Sequence, residues 1–237
     1  MFSFLNNIPQ VTKNILLLNI LFFVFKFFFS SQGIDLDRSL GAYYVNSPNF
    51  EPYQVVTHFF MHGDFMHIFM NMWLFVMLGT FLEQLWGPKR FFIFYIASAL
   101  GAFALYNIIG VYQIHEIQLE NNINEYLVTL PNNGSVDINS LTRYISYTNT
   151  PLVGASGAVF GIMAAFAILF PNTEFMIYFA IPVKAKFLVG GYFLWELYKS
   201  FNGTPGDNVA HLAHVGGAIV GAIIILYWRK TDKKHFW

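Results

Sequence analysis

The chain has no cysteine and little charge. Its 237 residues include no Cys, and Asp, Glu, Lys and Arg together make up only 11% of them, whereas soluble domains carry about 25%. The absence of cysteine excludes disulfides, a thiolate nucleophile and a cysteine-based zinc site. The low charge and the formal net charge of zero exclude a disordered chain, a nucleic-acid binder with a basic patch and an ordinary cytosolic enzyme.

Hydrophobic residues make up 56% of the chain and are gathered into long runs. A helix needs about 20 mostly apolar residues to cross a bilayer, and six stretches meet this requirement. They lie at about 14–31, 64–86, 91–112, 151–170, 183–201 and 208–228. Pro151 and Pro171 are predicted to begin and end the fourth. The pattern predicts an all-α, six-helix bundle, a single domain over residues 1–237 that is embedded in a lipid bilayer.

The lysines and arginines predict an orientation. If the N-terminus is cytoplasmic, nine of them fall on cytoplasmic segments and three on outer segments, while Lys26 lies within the first span. Positive loops stay on the cytoplasmic side, so we expect both termini there and the polar loop 113–150 outside. Ser156, five residues into the fourth span, would lie about 7.5 Å deep at 1.5 Å per residue. The short chain, with no targeting segment, favours a bacterial inner membrane.

Three histidines and an asparagine gather at the start of the second span, in the run H-F-F-M-H-G-D-F-M-H-I-F-M-N. Asp64 is a good N-cap, and His67 and Asn71 share one helix face because they are four residues apart. His58 and His62 precede the cap and are predicted to lie in a turn near the outer surface. These side chains could simply satisfy one another at a helix start, but polar groups in membranes also mark functional cavities.

Small residues surround a serine in the fourth span and follow a histidine in the sixth. The residues concerned are Gly154, Ser156, Gly157, Phe160 and Gly161, and then His214, Gly217 and Gly221. Glycine faces let two helices approach closely, so we expect these spans to pack together and bring His214 to Ser156. A histidine beside a serine can activate it as a nucleophile, although a serine among small residues is also common packing material in membranes.

Taken together, these motifs resemble the rhomboid intramembrane serine proteases. The resemblance covers about residues 50–225 and rests on H-G-D-F-M-H-I-F-M-N, G-A-S-G-A-V-F-G and A-H-V-G-G-A-I-V-G, in the family's order on spans two, four and six. It implies that Ser156 is the nucleophile and His214 the general base. It also implies an oxyanion hole formed by His67, Asn71 and the backbone N–H of Ser156, and an aromatic ring, Phe160, under the histidine.

The resemblance also implies supporting residues and substrates. Glu83 matches a buried acidic residue with a structural role, and His58 and His62 match residues that order the outer end of the second span. Residues 32–57 match a partly embedded loop that often carries a Trp-Arg pair, in place of which this chain has Tyr53-Gln54. The implied substrates are transmembrane segments of other proteins, and no metal, ATP or other cofactor is required.

The resemblance further implies a two-residue catalytic unit. If Phe160 packing and the glycine stripe at Gly217 fix the His214 ring, no carboxylate is needed to orient it. Asp207 and Asn208, shortly before the histidine, are interpreted as helix caps.

Three alternatives stay open. The first is an inactive relative that binds membrane proteins without cutting them, although such proteins usually lack the Ser or the His. The second is a metal or haem site on the clustered histidines, namely His58, His62, His67, His211 and His214. The third is a transporter or channel, against which the close glycine faces and the lack of an internal repeat argue.

Overall fold

The computed structural model describes residues 7–121, 142, 144, 145, 148–177, 181–202 and 209–231. In this part of the chain eight α-helices form: α1 Gln10–Ser30, α2 Leu36–Leu40, α3 Gln54–Thr57, α4 Phe65–Trp86, α5 Pro88–Asn121, α6 Ser156–Leu169, α7 Ala185–Phe201 and α8 His211–Thr231. A short antiparallel hairpin joins α6 to α7, with β1 at Glu174–Ile177 and β2 at Ile181–Lys184. The predicted all-α class therefore holds except for this hairpin.

Within the described residues, four helices are long and apolar enough to cross a membrane, namely α1, α4, α5 and α8. The fourth and fifth predicted spans exist as shorter helices, of 14 residues in α6 and 17 residues in α7. The prediction of a helical membrane protein is thus confirmed, whereas the count of six full-length spans is not.

Two predicted boundaries are wrong. Helix α6 begins at Ser156 instead of Pro151, because Leu152 exchanges two backbone hydrogen bonds with Ala42, at 2.9 and 2.7 Å, and Gly154 has a positive φ of 126°. The predicted depth of about 7.5 Å for Ser156 assumed five helical residues before it. Because α6 begins at Ser156 itself, that calculation does not apply. Helix α5 continues to Asn121, so the first part of the predicted polar loop 113–150 is helical. Most of the remainder of that loop lies outside the described residues.

Helix α6 lies at the centre of the molecule. Every residue from Gly157 to Phe166 is buried, because small residues let α5 and α8 approach it closely. The outer helices instead expose large apolar side chains, and Phe27 and Phe28 of α1 are 60% and 61% exposed. A helix that is apolar all round, with its outer face uncovered, suits contact with lipid.

Glu83 near the end of α4 holds the start of α1. Its carboxylate accepts hydrogen bonds from the backbone N–H of Val11 at 2.9 Å, and from the N–H and hydroxyl of Thr12, both at 2.7 Å. The first N–H groups of a helix have no partner within it, so this buried acid caps α1 from a neighbouring helix.

The loop between α1 and α4 is held by hydrogen bonds of Tyr53 and Gln54, the two residues at the place where the resemblance implies a Trp-Arg pair. Gln54 is 2% exposed; its side-chain oxygen accepts from the N–H of Glu51 at 3.0 Å, and its amide donates to the carbonyl of Ser39 at 3.4 Å. The Tyr53 hydroxyl donates to the same carbonyl at 3.2 Å. Through Ala42, this loop also positions the segment that leads into Ser156.

Candidate active site

Ser156 and His214 meet at the ends of two central helices. Ser156 is the first residue of α6, and His214 lies in the first turn of α8. The serine Oγ is 2.9 Å from the histidine Nε2, a good hydrogen-bond distance for a hydroxyl donor. Ser156 is half-buried and His214 is buried, so this contact lies in a partly dry site that solvent still reaches.

Glycines bring the two helices together below this contact. A Cβ atom on Gly217 would overlap the carbonyl oxygen of Gly157, and one on Gly221 would lie 2.7 Å from the Cα of Gly161. Real Cβ atoms are essentially never that close to backbone atoms. The backbones of α6 and α8 are therefore in direct contact, which is the packing that the glycine pattern predicts.

An aromatic stack supports the His214 ring. The ring of Phe160, one turn after Ser156, lies parallel to it with centroids 4.3 Å apart and planes at 10°. The Phe160 ring also contacts the ring of Tyr192 on α7, with centroids 5.0 Å apart. This stack fixes the plane of the imidazole.

The other nitrogen of His214 faces a carboxylate that the sequence analysis did not identify. Its Nδ1 is 2.9 Å from Oε2 of Glu196 on α7, and Nδ1 of His211 is 2.6 Å from the same oxygen. His214 therefore has a carboxylate partner besides the Phe160 stack, and the idea that its ring needs no carboxylate to orient it stays a prediction. Asp207 and Asn208, interpreted as caps, lie outside the described residues. The sequence could have indicated Glu196, because it is an acid inside the apolar span F-L-W-E-L-Y. Acidic residues in membrane spans cost free energy and usually have a function.

The two residues assigned to the oxyanion hole lie on α4. The carboxylate of Asp64 caps this helix by accepting from the His67 N–H at 2.9 Å, as predicted. A Cβ on Gly154, which has φ of +126°, would lie 2.9 Å from Nε2 of His67 and 3.4 Å from Oγ of Ser156. The absence of a side chain at Gly154 therefore leaves open a space that borders both the His67 ring and the serine hydroxyl. The Asn71 side-chain amide is buried and donates no hydrogen bond within the described residues.

His58 and His62 precede the cap of α4, and both side chains are buried, at 2% and 0% exposure. Their predicted position, in a turn near the outer surface, stays a prediction. His58 Nδ1 donates to the Gln54 carbonyl at 2.7 Å, and its own carbonyl accepts from the Gly154 N–H at 2.9 Å. The His62 ring packs edge-on against His67, at 5.0 Å between centroids. Burial lowers the pKa of His58 to about 4 and that of His62 to about 3, so both are neutral near pH 7.

The rhomboid family model, a rhomboid domain, matches residues 49–231. The chain belongs to the rhomboid family. It is 31% identical to RHOMBOID-like protein 12, mitochondrial, of Arabidopsis thaliana over 77% of this chain and 47% of the relative. It is 25% identical to Rhomboid-like protein 11, chloroplastic, of the same plant, over 93% of this chain and 67% of the relative. Identity to Rhomboid protein 1, mitochondrial, of Saccharomyces cerevisiae is 26%, over 74% of this chain and 42% of the relative.

This rhomboid chain spans about half the length of the mitochondrial relatives it matches. The names of these relatives refer to mitochondria and chloroplasts. They give no support to the expectation of a bacterial inner membrane, whereas the helices support a membrane protein.

One cluster in the described part of the rhomboid chain has the composition of a metal site. The ligand atoms of Glu196, His211 and His214 lie within 4.8 Å of one another. Among the described residues, the five clustered histidines do not form one metal or haem site. His58, His62 and His67 are not part of this group.

Proposed function

We propose that this rhomboid is a serine endopeptidase that cleaves transmembrane segments of other membrane proteins. The observation that carries the proposal is the 2.9 Å contact between Ser156 Oγ and His214 Nε2. A hydroxyl and an unprotonated imidazole at this distance form the minimal pair for nucleophilic catalysis. The family membership supports the same activity.

In the proposed reaction His214 accepts the Ser156 proton as Oγ attacks a peptide carbonyl. The negative charge on the carbonyl oxygen is stabilised by the Ser156 N–H and by the side chains of His67 and Asn71. The amide of Asn71, which has no hydrogen-bond partner among the residues that the structure describes, is available for this purpose. His214 then gives the proton to the leaving amine, and water releases the acyl group from the serine.

The substrate chemistry follows from the surroundings. A transmembrane helix presents carbonyls that are hydrogen-bonded within the helix, so it must unwind locally before Ser156 can attack. Small or helix-breaking residues near the cut should therefore favour cleavage. The nine-to-three distribution of lysines and arginines supports an orientation with both termini on the same, positively charged side.

The test uses the purified full chain in detergent, with labelling by a serine-directed fluorophosphonate and cleavage of a transmembrane test substrate. Ser156→Ala and His214→Ala should each abolish both signals and keep the thermal midpoint near that of the parent protein. Ser98 of α5, fully buried at 0% exposure, provides the matched control, and Ser98→Ala should keep both signals. Cleavage by Ser156→Ala would refute the proposal. A folded parent protein that neither takes the label nor cuts would instead indicate the inactive relative.

A further inference from the structure

Glu196 occupies an unusual position for an acid. It is the only acidic residue of α7 and is 2% exposed, whereas its neighbour Trp195 is 56% exposed. The helix thus turns its one carboxylate inward, against α8. A buried carboxylate is costly unless it is paired and hydrogen-bonded, so the partners of Glu196 decide what it can do.

Those partners are two histidines three residues apart on α8. Oε2 of Glu196 accepts from Nδ1 of His214 at 2.9 Å and from Nδ1 of His211 at 2.6 Å. An ionised carboxylate can only accept hydrogen bonds, so His214 carries its proton on Nδ1. Its Nε2 then presents a lone pair to Ser156 Oγ, 2.9 Å away, which is the tautomer that a general base requires.

We propose that Glu196 is a positioning residue for the general base, so that Ser156, His214 and Glu196 form one chain of hydrogen bonds. This inference rests on the proposed protease function. The stack with Phe160 fixes the plane of the imidazole but leaves rotation within that plane, and the bond from Nδ1 to Glu196 removes that freedom. When the serine proton moves to Nε2, the imidazolium gains a carboxylate neighbour. Glu196 keeps its charge throughout, and the proton passes on to the leaving amine.

The distances favour this role over a metal site. Two nitrogen or oxygen ligands of a tetrahedral zinc ion, each about 2.0–2.1 Å from the metal, are roughly 3.3 Å apart. The separations of 2.6 and 2.9 Å in this cluster are hydrogen-bond lengths.

The experiment compares Glu196→Gln with Glu83→Gln in the purified full chain. Both glutamates are nearly fully buried, at 2% and 3% exposure, but Glu83 caps α1 and is remote from His214 in the hydrogen-bond network. The readouts are the rate of fluorophosphonate labelling at Ser156, its pH profile and the thermal midpoint. Glu196→Gln should lower the labelling rate by roughly 10²- to 10⁴-fold, whereas Glu83→Gln should act mainly on the thermal midpoint.

The pH profile separates positioning from mere packing. Removing the negative charge makes the imidazolium less stable, so the acid limb of labelling in Glu196→Gln should move to lower pH by about one unit or more. The other titratable groups near this pair are His211, Tyr192 and His67, and all three are unchanged in the variant. Glu196→Asp, which keeps the charge, should keep the acid limb of the parent protein. If Glu196→Gln does not fold, the test uses Glu196→Asp instead.

Labelling of the parent protein tests the proposed function, so the two ideas can fail separately. If the parent is labelled and Glu196→Gln is labelled within threefold of it with the same acid limb, the positioning role is refuted. An acid limb displaced to lower pH in Glu196→Asp would also refute it. Stoichiometric zinc in the purified parent, lost in Glu196→Gln, would make Glu196 a metal ligand and overturn the inference.

Discussion

The crossing of α6 and α8 allows a quantitative prediction for Gly217→Ala. The added Cβ would overlap the Gly157 carbonyl oxygen and would lie 2.6 Å from its carbon and 3.0 Å from its Cα. Ordinary carbon contacts begin at about 3.5 Å, and all these atoms are backbone, so no side-chain rotation can relieve the overlap. The two helices must separate by about 1 Å at this point.

The cost to stability should be modest and the cost to reactivity large. Overpacking lowers the free energy of unfolding by about 1–3 kcal/mol. Replacing a glycine within a helix by alanine raises it by about 0.5–1 kcal/mol. The thermal midpoint should therefore fall by only a few degrees, at about 2–4 °C per kcal/mol. A separation of about 1 Å would lengthen the 2.9 Å contact between Ser156 and His214 beyond hydrogen-bond range. A misplacement of this size costs about 10²-fold in rate.

The assay is fluorophosphonate labelling of the folded protein, measured beside the thermal midpoint. Gly191→Ala on α7 is the matched control, because no atom of the described part of the chain lies within 4 Å of a Cβ built there. It should keep the labelling rate and leave the midpoint unchanged or slightly raised. If Gly217→Ala labels at the rate of the parent protein, close contact between the glycines does not hold the serine and the histidine together, and the reasoning is refuted.

Two further predictions concern residues around the serine. Asn71→Ala should lower kcat by about 10²–10³, or 2.7–4 kcal/mol, with little change in KM or thermal midpoint, because its amide donates no hydrogen bond to any residue that the structure describes; near-normal kcat would contradict the role. The thermal midpoint of the parent should fall as pH drops from about 6.5 toward 4, because burial lowers the pKa of His58 to about 4 in the folded protein while the unfolded chain protonates near 6.5. His58→Gln should weaken this pH dependence, and an unchanged slope would show that other groups cause it.

The helices were largely predictable from the sequence, but the start of α6 and the end of α5 were not. Apolar runs of about 20 residues have few stable forms in a bilayer other than a helix, which is why α1, α4 and α8 lie close to their predicted bounds. Helix α6 differs because Leu152 pairs with Ala42, more than a hundred residues earlier in the chain. A proline just before an apolar run is an ordinary start signal, and no local pattern reveals that the distant Ala42 takes both backbone groups of Leu152.

The candidate site was likewise predictable from the sequence only in part. Residue types and helical spacing alone placed His67 with Asn71 on one face and predicted that glycine faces would bring His214 to Ser156, because periodicity and side-chain size are properties of the local chain. Only the tertiary structure decided that α7 turns Glu196 toward Nδ1 of His214 and that both His67 and Ser156 border the open space beside Gly154. Which face of a uniformly apolar helix points inward depends on the neighbours it packs against, and those neighbours are set by the whole fold.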